Sequence, residues 1–272
     1  MEPSVRPRNM FKSNLKRTSS LLLIGTLSLL TLGTAAAEGG VIVVTDMVAV
    51  SFWLATAMML ASTVFFMMER QNVSAKWKTS MTVAALVTGI AWYHYTYMRD
   101  HWVNTGESPL VLRYIDWLIT VPLHVSEFYL ILAAVGVATA ALFWRLLGAS
   151  LVMLVAGFLG EADKAPEMPM LIIGCVAWFY IIYEIWAGEA KQKVSETSEG
   201  TQFAFKAMAL ILTVGWAIYP IGYYLGMDNG GTDNLNILYN IADVVNKTAF
   251  GMMVWYAATT VSYTHLRAHE TS

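Results

Sequence analysis

One stretch restricts the fold of this chain more than any other: RYIDWLITVPLHVSEFYLIL, residues 113–132. It is apolar and long enough to cross a bilayer as a helix, which takes about 20 residues. Yet it carries Arg113, Asp116, His124 and Glu127. At about 100° per residue, Arg113, Asp116, Thr120, His124 and Glu127 fall within roughly 80° of one another around a helix. Ionisable groups inside a membrane cost about 2.5–3.5 kcal/mol each on insertion scales and persist where they face a bundle interior. A polar stripe through the thickness of one helix reads as a track for protons or ions. The Leu, Ile, Val, Trp and Phe on its other faces argue against a soluble amphipathic helix.

The remainder of the sequence fits a membrane protein. Of 272 residues, 57% are hydrophobic and 13% charged, whereas soluble domains carry about 25% charged residues. No room remains for a sizeable soluble domain. The single cysteine, Cys175, lies in an apolar run, which excludes disulfides and thiolate metal sites; no metal is expected. A formal net charge of -2 gives no reason to expect a nucleic-acid partner, and no glycine-rich phosphate loop precedes a helix.

Residues 1–37 follow signal-peptide grammar: a basic region (Arg6, Arg8, Lys12, Lys16, Arg17), a short apolar core LLLIGTLSLLTL, then Ala35, Ala36 and Ala37. Cleavage is expected after Ala37. Seven apolar spans follow, at about 46–69, 77–98, 109–134, 141–161, 169–189, 201–225 and 235–261. They are expected to be helices, because a helix satisfies its own backbone in lipid. The fold class is therefore an all-α membrane protein, a seven-transmembrane-helix bundle over 38–262. Arg70, Lys76 and Lys78 are assigned to the loop between spans one and two, Arg145 to that between three and four, and Lys191, Lys193 and Lys206 to that between five and six. The opposite loops carry Arg99 and Lys164, diluted by Asp100, Glu107, Asp163, Glu167, Asp228 and Asp233. The positive-inside rule then places the N-terminus outside and the C-terminus in the cytoplasm. An odd number of spans after a cleaved signal agrees with that. No internal repeat suggests an inverted-repeat transporter.

The seventh span, LYNIADVVNKTAFGMMVW, holds the second polar element. Asp243 and Lys247 are four residues apart and share a face. A mid-span lysine is costly unless paired, or unless it loses its charge and becomes a nucleophile. Such an amine can condense with an aldehyde to a Schiff base, whose protonated form needs anions: Asp243, with Asp116 a candidate for the other. A plain ion pair between helices is the alternative on spacing alone. Trp117, Trp178, Trp216, Tyr219 and Pro220 could wall a long flat ligand, although tryptophans in membrane proteins also serve as packing or interfacial anchors. His94 on span two could bond an aspartate of span three and tune its proton affinity.

At these residues the sequence resembles the microbial (type 1) rhodopsins, and among them the proteorhodopsins, over roughly residues 50–256. SFWLATAMMLASTVFF, VSAKWKTS, RYIDWLITVP, EFYLILAA, GWAIYP and LYNIADVVNK carry the resemblance. It implies all-trans retinal bound to Lys247 as a protonated Schiff base. It further implies Asp116 as proton acceptor and counterion, Asp243 as second counterion, Arg113 as part of the counterion complex, Glu127 as cytoplasmic proton donor and His94 as the residue that tunes the acceptor. Trp117, Thr120, His124, Trp178, Trp216, Tyr219 and Pro220 match the retinal pocket, and Tyr95 a tyrosine near the counterions. Asp116, Thr120 and Glu127 together form the pattern of outward proton pumps. The expected function is a light-driven outward proton pump, not an enzyme, that generates proton motive force in a prokaryotic inner membrane. Its partners are the lipid bilayer, protons and copies of itself in a pentamer or hexamer.

Three features depart from the family pattern or qualify it. His124 stands where proteorhodopsins have leucine (green-absorbing) or glutamine (blue-absorbing); acting like glutamine, it would shift absorption to the blue. Leu171 occupies the position where some relatives have a glycine that admits a carotenoid, so no antenna is expected. Residues 263–272 match nothing in the family and are read as a short tail without a role, open to being non-native. Of the rivals, a photosensor would often lack a carboxylate donor such as Glu127, an anion pump needs a neutral residue at 116, and a ligand receptor or a transporter not driven by light does not need Lys247 with two aspartates.

Overall fold

The computed structural model of the protein describes residues 43, 45–227 and 232–270, with 232 and 261–270 as backbone alone. The expected signal peptide lies outside the described residues. The helices are α1 Met47–Glu69, α2 Lys78–Thr105, α3 Leu110–Ala134, α4 Ala140–Glu161, α5 Glu167–Trp186, a short α6 Glu189–Val194, α7 Glu199–Leu210, α8 Ile218–Gly226, α9 Thr232–Val244 and α10 Phe250–Glu270. A π turn, Ile211–Gly215, joins α7 to α8, and a second, Val245–Ala249, joins α9 to α10. The result is seven rods among the described residues, with no strand.

Local chemistry sets the ends. Asp46 caps α1 by accepting from Ala49 N at 2.9 Å, and its other oxygen accepts from Trp102 Nε1 of α2 at 3.0 Å. Thr139 and Ser198 cap α4 and α7, as short hydroxyl side chains do. Pro109 and Pro166 precede α3 and α5, where a missing N–H costs nothing. Gly106 closes α2 at φ 69° and donates its N–H to Trp102 O at 2.8 Å, a left-handed position that suits glycine.

Consecutive rods pack side by side from α1 through α5, and α9 returns against α1 to close the bundle. The α4–α5 contact is extensive, while α5 meets α8 only sparsely. Apolar side chains such as Val64, Trp144, Val176, Phe179, Val214 and Leu225 point outward, the inverse of a water-soluble bundle. Five rods are long and apolar enough to cross a membrane by length and composition. The other two, α2 and α9–α10, are diluted by groups such as His94, Arg99, Asn236, Asn240, Asp243 and Lys247. All of these but His94 are buried, so these rods are polar inward, not outward.

The boundaries differ from expectation where no breaker stops a helix. The second rod runs to Thr105, not 98, because the first glycine after Gly89 is Gly106. The fifth ends at Trp186, not 189, just before Gly188. The seventh begins at Thr232 and runs to Glu270 instead of spanning 235–261; after Gly251 the sequence has neither glycine nor proline to end it. Lys206, grouped with the loop charges, lies within α7. The connection before α7 is not bare loop: Arg145 of α4 pairs with Glu184 of α5 at 2.9 Å and Glu189 of α6 at 2.5 Å.

Because Asp46 both caps α1 and holds Trp102, Asp46→Ala should lower stability by about 1 kcal/mol. A fall in the midpoint of thermal unfolding in detergent, partly recovered by Asp46→Asn, checks this.

Candidate functional site

The polar stripe of α3 faces inward along its whole length. Arg113, Asp116 and Thr120 are fully buried, and His124 and Glu127 nearly so. The opposite wall is supplied by α9 and the π turn after it, where Asn236, Asn240, Asp243 and Lys247 repeat the same helical spacing and are also buried.

Lys247 joins the two stripes. Its Nζ, the free amine, donates to Asp116 Oδ2 and to Asp243 Oδ2, each at 2.8 Å. The ion pair left open on spacing alone is therefore present, and it is a triad reaching across the bundle. Desolvating one ammonium and two carboxylates is expensive, and only close, hydrogen-bonded geometry offsets it. Asp243 has that support. Tyr95 Oη donates to its Oδ2 at 2.8 Å, Tyr219 Oη to its Oδ1 at 2.5 Å, and Trp117 Nε1 approaches Oδ1 at 3.3 Å. Asp116 is held more sparely. Its Oδ1 lacks a hydrogen-bond partner among the described residues and lies 3.6 Å from His94 Nδ1, too far for a hydrogen bond. His94 instead has Ile90 O at 3.0 Å. It stands beside the carboxylate as expected, but without the expected bond.

Arg113 also departs in detail. Its guanidinium does not reach either aspartate; Nη2 donates to Asn236 Oδ1 and Asn240 Oδ1, both at 2.8 Å. Asn240 in turn donates to Ser51 Oγ at 2.8 Å. These asparagines are functional neighbours that the sequence reading missed, although their i, i+4 and i+7 spacing onto Asp243 was visible. Glu127 lies on the other side of Lys247, beyond His124 on α3, with Val125, Phe128 and Ile131 of the apolar core around it. Both of its carboxyl oxygens are sealed from the outside, and among the described residues Ser80 of α2 is the polar side chain that faces it.

Beside Lys247 lies a cavity lined by Trp117, Trp178, Trp216, Tyr219, Pro220 and His124 among others, with Lys247 and Asp243 in its wall. Small-molecule sites are typically of this kind, largely apolar and aromatic with a few convergent polar groups. His124 meets Phe250 edge-on at 4.8 Å and Trp216 at 6.3 Å between ring centres, and its Nε2 is buried without a hydrogen-bond partner among the described residues. Leu171 and Cys175 lie in the same wall. Thr120 does not line the cavity; its hydroxyl bonds back to Asp116 O at 3.0 Å, the usual arrangement of a mid-helix threonine.

A long apolar slot walled by aromatic rings, with a buried amine in its wall and two carboxylates on that amine, suits a flat hydrophobic aldehyde. The comparisons agree. The model of the family described as bacteriorhodopsin-like protein matches residues 46–261. The green-light absorbing proteorhodopsin of Gamma-proteobacterium EBAC31A08 is 55% identical over 241 residues, 88% of this chain and 96% of that protein. The blue-light absorbing proteorhodopsin of Gamma-proteobacterium Hot 75m4 is 55% identical over 242 residues, again 88% of this chain and 96% of that protein. The crystal structure of blue light-absorbing proteorhodopsin from Med12 aligns with a TM-score of 0.69 at 55% identity, covering 79% of this chain and 99% of that one. The chain belongs to the bacteriorhodopsin-like family: it is a seven-helix, multi-pass membrane protein whose cofactor is retinal.

Replacing both Asp116 and Asp243 by Asn leaves the Lys247 ammonium buried without a counter-charge. Without retinal, the double variant should lose about 3–5 kcal/mol, read as the shift of an SDS-unfolding equilibrium, and each single variant less.

Proposed function

We propose that this chain is a light-driven outward proton pump of a prokaryotic inner membrane, with retinal joined to Lys247. The observation that carries the reading is Lys247 Nζ held at 2.8 Å by carboxylates from two different rods, with a sealed third carboxyl, Glu127, across an apolar stretch. When bound, retinal supplies absorption of visible light and a light-driven fall in the proton affinity of the Lys247 nitrogen.

The protein supplies direction. Asp116 Oδ2 is the acceptor within hydrogen-bond reach of Nζ. Its other oxygen, Oδ1, has no hydrogen-bond donor among the described residues and faces His94 Nδ1 at 3.6 Å; His94 beside it adjusts how tightly the proton is held. Asp243, pinned by Tyr95, Tyr219 and Lys247, stays a fixed anion. Arg113, held by Asn236 and Asn240, offers a positive charge on the exit side of Asp116. Glu127 holds its proton, because an unpaired buried charge is costly, and returns it to the nitrogen from the opposite side. The apolar residues around Glu127 separate the two half-paths.

Orientation follows from the loops. Glu127 lies toward the α3–α4 end of the bundle, the end of Arg70, Lys76, Lys78, Lys191 and Lys193, and basic loops favour the cytoplasm. Arg113 and Asp116 then face outward, as a signal peptide cleaved after Ala37 would require. The pump is not an enzyme, acts as a ring of copies of itself, and takes no antenna carotenoid, since Leu171 fills the wall where one would enter. His124 contributes colour: a polar ring in the wall of the cavity shifts absorption to the blue. Overall identity does not choose a colour, because green- and blue-absorbing relatives are equally similar.

Membranes containing the protein and all-trans retinal should be coloured and should acidify an unbuffered suspension in light, an effect abolished by a protonophore. Lys247→Ala should stay colourless. Asp116→Asn should keep colour and lose pumping, and Glu127→Gln should pump slowly, with the delay in re-protonation seen by flash spectroscopy. A pigment that absorbs light without moving protons would reject the pump in favour of a photosensor. For colour, His124→Leu should move the absorption maximum to longer wavelength; an unmoved maximum removes His124 from the tuning.

A further inference from the structure

The two π turns face each other. Ile211–Gly215 and Val245–Ala249 pack together, and the side chain at their contact is Asn246, the residue before Lys247. Asn246 is almost fully buried. A Cβ built on Gly215 would lie 1.8 Å from Asn246 Oδ1 and 2.9 Å from its Cγ, so the amide occupies the space that any side chain at 215 would need. Oδ1 has no hydrogen-bond donor among the described residues; the amide is placed there by packing against the bare backbone of residue 215. Its Nδ2 donates to Tyr219 Oη at 3.2 Å, and Tyr219 Oη donates to Asp243 Oδ1 at 2.5 Å. Asp243 Oδ2 accepts from Lys247 Nζ at 2.8 Å.

From this chain of contacts we infer that Asn246 is a positioning residue: seated against Gly215, it aims and polarises the Tyr219 hydroxyl and thereby sets how much negative charge Asp243 presents to the nitrogen of Lys247. The inference rests on Lys247 being the retinal-bearing residue. Hydrogen bonds in series strengthen one another. An amide that donates to the phenol oxygen makes the phenol a better donor to the carboxylate. Without it, Tyr219 donates less well, and Asp243 keeps more of its charge toward Lys247. A stronger anion beside a cationic nitrogen holds positive charge there and raises the excitation energy of the attached chromophore. The other charged or ionisable groups on this cluster, Asp116, Arg113, His94 and Tyr95, are untouched by the change. Gly215 belongs to the same device, because only a residue without Cβ leaves room for the amide.

The test is a set of variants of the full chain reconstituted with all-trans retinal, read by the absorption maximum at fixed pH. Asn246→Ala should shift the band to shorter wavelength by several nanometres. Gly215→Ala, which pushes the amide off its seat, should shift it in the same direction. The two should not add: with Asn246→Ala already present, Gly215→Ala should change the band no further, and in a Tyr219→Phe background Asn246→Ala should be silent. The Tyr219→Phe background is the arm that separates a role through Tyr219 from a packing defect: Gly215 and Asn246 touch, so their changes couple in either case, whereas a packing defect would still move the band without the phenol hydroxyl. An Asn246→Ala shift that persists in the Tyr219→Phe background, or a coloured Asn246→Ala protein with an unmoved band, overturns the inference. Should Asn246→Ala fail to bind retinal, Gly215→Ala in the wild-type and Tyr219→Phe backgrounds asks the same question. A parent protein that stays colourless with retinal rejects the reading of Lys247 instead, so the two failures are distinct.

Discussion

The structure turns on one buried cation. Lys247 lies deep in the bundle, and an ammonium there is tolerated because carboxylates from opposite sides reach it at hydrogen-bond distance. With Arg113 counted, the cluster carries two positive and two negative formal charges, so the interior holds it without a net charge. That requirement fixes the faces of three rods. The third must turn Asp116 inward, the seventh must turn Asp243 and Lys247 toward it, and the second must bring Tyr95 to the aspartate. Once those faces are set, the aromatic slot, the arginine with its asparagines, and the sealed glutamate are placed by helical periodicity.

The two carboxylates differ in a way that fits a division of labour. Asp243 is saturated: two tyrosines and the lysine donate to it, and an indole approaches it. Asp116 takes the lysine on one oxygen and leaves the other without a donor. A saturated carboxylate is a poor place to put a proton and a good permanent anion; the under-satisfied one is where charge can change at least cost. Chemically identical residues thus acquire different tasks from their neighbours.

Much of this was legible in the sequence, because membrane helices obey two strong rules. Length and hydropathy locate the rods, and a period of 3.6 residues says which side chains meet. Arg113, Asp116, His124 and Glu127 fell on one line and are buried on one line. What periodicity did not reveal was partner choice. Arg113 could as well have bonded an aspartate as Asn236 and Asn240, and nothing in the spacing told His94 to prefer the carbonyl of Ile90. The π turns were hidden for a different reason. An extra residue in a turn moves everything after it around the axis, and no residue type in the sequence marks where that happens. Gly215, beside Trp216, was the available hint, and it pointed to a close approach that only the partner side chain could explain. The continuation of the seventh rod to Glu270 was missed because an unfamiliar sequence was taken for an end, when nothing in it breaks a helix.

A last consequence comes from Gly157 on α4. A Cβ there would fall 2.8 Å from Tyr114 Oη, and that hydroxyl is engaged with Glu161 at 2.5 Å, while the ring rests edge-on against Trp117 at 5.1 Å between centres. One added methyl on the fourth rod would therefore press on a tyrosine and, through it, on an indole that walls the slot and touches Asp243. Evolution of colour and rate in this scaffold need not act only where side chains meet the ligand; the tightest helix crossings offer a second set of handles, where the smallest possible change is relayed inward.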